Sequence, residues 1–157
     1  MDKLQYRECE QSRRFIITIP AGAKLVAELR GFAASVGLKM AAIVSAVGSI
    51  RNLAFTNILI GAHLPITKPR LRHHEVEGPL WLLGLEGNLA AAEGGGEMTA
   101  HLQIIAAKSS GEVVGGALLE AEVFASCEIV LTEYAVAGVD RRHSAVSGVD
   151  TLTFHET

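Results

Sequence analysis

Two kinds of hydrophobic spacing occur in the first part of the chain. Residues 13–19 (RRFIITI) are rich in β-branched and aromatic side chains and end at Pro20, which predicts a first strand. In residues 23–36 the apolar positions recur every three or four residues, which predicts an amphipathic helix. Its apolar face consists of Leu25, Leu29, Phe32 and Val36. Gly37 follows as the expected left-handed terminator of this helix.

Short apolar segments bounded by Gly, Pro, Asn and Ser follow the helix and predict strands. The predicted strands are residues 40–47, 53–60, 73–76, 80–85, 98–106, 112–119 and 123–134. The predicted loops and turns between them are residues 62–72, 86–88, 90–96 and 109–111. This pattern predicts an α+β fold, a mainly antiparallel β-sheet of about seven or eight strands with one principal amphipathic helix.

The domain organisation follows from the same pattern. We expect a single domain over residues 1–157, with a core at about residues 13–134 and a C-terminal tail at residues 135–157. Leu152-Thr153-Phe154 in the tail is a candidate short strand that would lie on a neighbouring subunit.

Composition adds the expectation of self-association. Hydrophobic residues make up 49% of the chain and charged residues 20%, and the mean hydropathy is +0.31. No apolar run approaches the roughly 20 residues that cross a bilayer. The apolar excess therefore indicates either a subunit interface or a core rich in Ala and Gly.

The charge and the cysteine content of the chain bear on its cellular compartment and on nucleic-acid binding. The amino terminus lacks the apolar segment of a signal peptide, and Cys9 and Cys127 form no close pair, which favours a cytoplasmic protein with reduced thiols. The net charge is −3 and basic residues form no long run, unlike most nucleic-acid-binding proteins.

Four stretches, in order, carry a resemblance to a known family. They are the strand–helix–strand opening that ends in residues 45–48 (SAVG), and residues 78–88 (GPLWLLGLEGN), 99–103 (TAHLQ) and 111–119 (GEVVGGALL). In this order and spacing the chain resembles the plants-and-prokaryotes conserved (PPC) domain family over about residues 14–133. The resemblance implies an α+β homotrimer related in fold to acetolactate decarboxylase, a zinc enzyme. It also implies the DNA-binding label that stand-alone prokaryotic members carry by association.

The histidines of the family are only partly present in this chain. Where members usually carry His-x-His and a further His after Gly-Gly, this sequence has His101, Gln103 and Ala117. Trp81 replaces the usual Glu of the preceding strand. Glutamine is a poor zinc ligand and alanine is none, so we expect no cofactor and no tight zinc site. Two interpretations of His101 and Gln103 remain: a solvated or interface face of a strand, or a pocket that binds a small polar ligand without metal.

Arg70, Arg72, His73 and His74 form a candidate basic patch that a trimer would present three times. The sequence shows no catalytic constellation, so we expect a non-catalytic homotrimeric binding or interaction module, with DNA as a candidate partner that the charge balance disfavours. The alternative is a metal- or ligand-dependent enzyme related to acetolactate decarboxylase, for which His63, His73 or His74 would have to complete a site with His101.

Overall fold

The structure, a computed structural model, describes residues 3–156. Its regular elements are β1 (Glu10–Pro20), α1 (Leu25–Ser35), β2 (Met40–Ile58), β3 (Leu71–Val76), β4 (Leu80–Ala91), β5 (Met98–Ala107), β6 (Val113–Ala135), β7 (Val139–His143) and β8 (Asp150–Phe154). Short 3₁₀ turns occur at Lys68–Arg70 and Glu93–Gly95. The predicted α+β fold, with its antiparallel sheet and one helix, is confirmed. No helix among residues 3–156 is long and apolar enough to cross a membrane.

Two long strands organise the main sheet. β2 pairs with β6 on one side, and on its other side first with β4 and then with β3. β6 also pairs with β1 and, near its start, with β5. Because β4 pairs with β5, the ladders of β2, β4, β5 and β6 close into a ring. Helix α1 packs against β5 and β6 through its buried residues Leu25, Leu29 and Ala33.

The predicted break between the strands at residues 40–47 and 53–60, which begins at Gly48, and the predicted turn at residues 86–88 are both wrong. Both lie inside longer strands, β2 and β4. Gly48 (φ +153°) lies against Ser126 and the buried Cys127, where a Cβ would come within 2.2 Å of the Ser126 carbonyl oxygen. Gly87 (φ +130°) lies equally close to the carbonyl of His101. These glycines permit close approach of two strands and do not end them.

The predicted break between residues 119 and 123 is also absent, because β6 runs without interruption from Val113 to Ala135. The tail contains a hairpin of β7 and β8, so the predicted short strand at residues 152–154 exists. It pairs with β7 of its own chain, and the hairpin is held to the main sheet by an Ala92–Arg141 bridge.

A glutamate of β6 caps the helix from a distance. The Glu120 carboxylate accepts hydrogen bonds from the backbone N–H groups of Val26 (2.7 Å) and Ala27 (3.2 Å) in the first turn. Lys24, the residue before the helix, makes no side-chain cap. The start of α1 therefore depends on β6 for its capping group, and a negative charge there also interacts favourably with the helix dipole.

We expect Glu120→Gln to lower the free energy of unfolding by about 1 kcal/mol, because the amide removes the charge and one acceptor. Urea unfolding followed by circular dichroism measures the change. Glu128→Gln, at an exposed position on the same strand, is the control. Equal stability of the two variants would contradict the capping role.

An ion pair joins the first strand to β6. Arg13 Nε and Nη2 donate to the two carboxylate oxygens of Glu133 at 2.9 and 2.8 Å, and Nη2 also donates to the carbonyl of Val36 at the end of α1. Hydrogen bonding to Arg13 lowers the pKa of Glu133 from 4.5 to about 2. The pair thus links β1, β6 and the helix C-terminus.

This lowered pKa predicts a pH dependence of stability. The contribution of Glu133 is fully present above its ordinary pKa of 4.5 and is lost as the pH falls toward 2. We expect the wild type to lose more stability than Glu133→Gln between these pH values, as measured by thermal unfolding at several pH values. Parallel pH profiles for the two proteins, with Glu128→Gln as reference, would refute this assignment.

Candidate functional site: a polar cavity on the outer face of the sheet

His101 and Gln103 lie on the exposed face of β5, in an alternation that continues from Thr99 to Ile105. The opposite face, with Leu102, Ile104 and Ala106, is buried in the core. Because residues two apart on a strand share a face, His101 and Gln103 point to the same side. Among residues 3–156, neither the His101 ring nor the Gln103 amide has a side-chain hydrogen bond.

A row of register partners crosses the sheet at Gln103. Glu86 of β4 pairs with Gln103, which pairs with Ala117 of β6. Ala117 in turn pairs with Thr56 of β2, and Thr56 with His73 of β3. The position of the missing third histidine, Ala117, therefore does lie beside Gln103. His73 is three strand spacings from Gln103 along this row, about 14 Å.

The row borders an open cavity of about 500 Å³. Its polar lining residues are Thr56, Asn57, Glu86 and Gln103. Gly84, Gly115, Gly116 and Ala117 line the remaining wall with three isoleucines, so small residues leave much of the space open. The side chain of Asn57 is held by a 3.0 Å hydrogen bond from Nδ2 to the carbonyl of Gly115.

The glycines of this wall have two different roles. A Cβ on Gly116 would lie 2.5 Å from Asn57 Oδ1 and 2.6 Å from the carbonyl oxygen of Thr56, so this glycine lets β6 pass close to β2. A Cβ on Gly115 would meet the carbonyl of Ile104 at 2.4 Å. A Cβ on Gly84 would meet no atom within 4 Å. The lack of a side chain at Gly84 therefore enlarges the cavity and is not required for strand packing.

The residues present do not match a zinc site of the three-histidine kind. Ala117 offers no donor, and Gln103 offers only a neutral amide. Among residues 3–156 no three His, Cys, Asp or Glu side chains are grouped so that they could hold a metal ion. His74 lies on the β2–β3 edge, where it pairs in register with Phe55 and stacks on its ring at 4.9 Å between centroids.

The four residues of the candidate basic patch are divided between different surroundings. Arg70 Nη1 donates to the carbonyls of His63 and Pro65 at 2.6 Å each. The His73 ring lies 3.3 Å from the Glu75 carboxylate. Only Arg72 and His74 line a common cleft, at the edge of the sheet.

An apolar patch adjoins the cavity on the same outer face. We define it as Trp81, Leu83, Ile105 and Val113, each more than half exposed. Trp81 pairs with Ala107 and Ala107 with Val113, two residues beyond the pairing of Ile105 with Gly115 and on the same face. The patch therefore continues in register into the wall of the cavity. Trp81 is 67% exposed, although large aromatic side chains are usually buried in a core or at an interface.

Sequence reasoning did not identify Glu86, Asn57 and Thr56 as site residues. Glu86 was assigned to a turn that does not exist, and the other two to the centre of an imperfect strand. The alternation of Gly84, Glu86 and Asn88 is the signal that would have found the β4 contribution, once Gly87 is recognised as a strand residue.

The comparisons with known proteins establish the family. The model of the Plants and Prokaryotes Conserved (PCC) domain matches residues 6–135. The chain belongs to this family. No curated protein matches the sequence.

Three solved structures show the same fold. A plant- and prokaryote-conserved protein from Pyrococcus horikoshii is 22% identical, with a TM-score of 0.79 over 98% of this chain and 99% of that one. A metal-containing protein from Archaeoglobus fulgidus is 25% identical, with a TM-score of 0.81 over 98% and 100%. A candidate DNA-binding protein from Bacteroides thetaiotaomicron is 19% identical, with a TM-score of 0.75 over 93% and 97%.

The two roles of glycine in the cavity wall predict losses of different size from one added methyl group. We expect Gly116→Ala to lower the free energy of unfolding by about 1–3 kcal/mol, because the Cβ would displace backbone and side-chain atoms of β2. Gly84→Ala, on the neighbouring wall, is the matched control and should cost less than Gly116→Ala. Urea unfolding of the two variants decides the matter, and equal losses would contradict the packing role of Gly116.

Proposed function

We propose that this PCC domain acts as a non-catalytic, homotrimeric binding module, and that its cavity, a mainly apolar space with four polar residues, takes a small polar ligand. The observation that carries the proposal is the continuity of the apolar patch with the cavity wall. A second copy that covered Trp81 and Ile105 would also cover the adjacent opening of the cavity. Self-association and ligand binding would then share one surface.

The chemistry of the cavity supports a binding role without metal. Glu86 supplies an acceptor, Gln103 supplies donors and an acceptor, and Thr56 supplies a hydroxyl group. These groups suit the hydroxyl or amino groups of a small molecule. The relative from Archaeoglobus fulgidus is named as metal-containing, but Gln103 and Ala117 leave His101 as the one imidazole of the three in this chain. The trimeric state rests on the resemblance to the family.

DNA association is the second candidate, favoured by the names of the relatives from Bacteroides thetaiotaomicron and Ralstonia eutropha. The net charge of −3 and the engagement of Arg70 by backbone carbonyls weigh against it. Binding to duplex DNA that weakened steeply with added salt would favour this candidate over the first.

The assembly is tested by placing a charge in the apolar patch. We expect the wild type to sediment at about 50 kDa, three times the chain mass of 16.6 kDa, and Trp81→Asp to sediment as a monomer. The reason is that a buried carboxylate without a partner is costly at an interface.

Ile60→Asp is the control, because Ile60 is fully exposed in the loop after β2. It should leave the mass unchanged, and circular dichroism should show that both variants are folded. A wild-type monomer, or a trimer that Trp81→Asp leaves intact, would refute the proposed interface.

A further inference from the structure

A buried arginine lies beside the cavity without an acidic partner. Arg141 of β7 is only 5% exposed. Its Nε donates to Thr99 Oγ1 at 2.7 Å, and its Nη2 donates to Asn88 Oδ1. Among residues 3–156, no carboxylate oxygen lies within 4.0 Å of the Arg141 guanidinium, whereas Arg142 next to it contacts both Asp140 and Glu93.

Only part of the guanidinium is satisfied by these contacts. Thr99 Oγ1 itself donates to the carbonyl of Ala90 at 2.7 Å, so it is an acceptor for Arg141. A guanidinium has five N–H donors, and three of those on Arg141, including both on Nη1, have no partner among residues 3–156. Among residues 3–156 the fully buried side-chain atom without a hydrogen bond is Thr132 Oγ1 and not an atom of Arg141, so the free donors of this arginine are open to solvent and accessible to an anion.

The two contacts place the guanidinium on the β4–β5 pair. Thr99 pairs with Ala90, and two residues further along Asn88 pairs with His101. Nε is therefore held at Thr99, and Nη2 at the register partner of His101. Gln103 and Glu86, the next pair on the same face, line the cavity, whereas Arg141 and His101 lie next to its lining.

Burial lowers the pKa of Arg141, and the nearby Asp150 charge partly offsets this effect. An arginine nevertheless stays protonated at neutral pH even in a protein interior. Asp150 does not contact Arg141 directly: none of its carboxylate oxygens lies within 4.0 Å of the guanidinium, and the carboxylate lies 3.0 Å from the ring of His143.

From this arrangement we propose that Arg141 and His101 form an oxyanion-binding site next to the cavity, which takes the carboxylate of a small hydroxy acid whose remainder enters the cavity. The planar fork of a guanidinium matches a carboxylate in two parallel hydrogen bonds, and the exposed imidazole of His101 adds a further donor. Glu86 lies two residues from Asn88 on β4 and disfavours a second anion in the cavity, while Glu86 and Gln103 suit a hydroxyl group. The inference rests on the proposed binding function and specifies the class of its ligand.

Glycolate is the probe, and glycolamide, its neutral counterpart, is the control ligand. In the intact protein, ¹H–¹⁵N spectra report on the Nε–H of Arg141 and on the side-chain amides of Asn88 and Gln103. We expect glycolate to shift these resonances saturably and glycolamide to leave the Arg141 resonance unmoved. An Arg141 resonance that does not respond to glycolate would overturn the proposal, including the case where a carboxylate of a neighbouring copy already occupies the guanidinium.

Two arginine variants test the assignment. Arg141→Lys keeps the charge but loses the fork, and we expect it to weaken glycolate binding at least tenfold. Arg142→Lys, on the same strand but already paired with acids, should bind as the wild type does. Equal weakening by both variants, or none by Arg141→Lys, would overturn the proposal.

The glycolate titration, combined with the sedimentation mass, separates this inference from the proposed function. A trimer that shows no glycolate effect would refute the oxyanion site and leave the proposed trimeric module untouched. A monomer that binds glycolate through Arg141 would support the oxyanion site and remove the shared interface.

Discussion

The antiparallel pairing of β2 with β6 is the constraint on which the remaining structure depends. These two strands pair from Ala41 with Glu133 to Thr56 with Ala117, and the other strands of the main sheet attach to their free sides. Gly48 allows the pair to come together next to Cys127, and Gly116 does the same where β6 reaches β5 and β2. Because the cavity wall is made at this second close approach, packing of the sheet and shape of the site have the same cause.

Local periodicity was enough to predict the helix, most strands and the fold class. It failed where one strand was long and contained glycine. Gly48 and Gly87 carry the usual composition of a turn, but their role is decided by a carbonyl on another strand, which no local pattern reveals. The continuity of β6 through residues 120–122 has a similar reason, since Glu120 caps α1 and Glu122 accepts hydrogen bonds from Arg51 and Asn52.

The site was predicted only in part. His101 and Gln103 follow from alternation along β5, and the resemblance to the family led to Ala117. Glu86 and Asn57 could not be added, because their nearness to Gln103 depends on the order of strands in the sheet. The burial of Arg141 could not be predicted either, because this residue lies in a weakly patterned tail. It is buried because the β7–β8 hairpin docks on β4 and β5.

The open space in front of Gly84 has an evolutionary consequence. At most core positions of a protein, a larger side chain strains its neighbours, so changes of specificity and losses of stability tend to arise together. At Gly84 an added Cβ would meet no atom within 4 Å. In this chain a single small substitution at Gly84 can therefore change what the cavity admits, while the strands that build the cavity keep their packing.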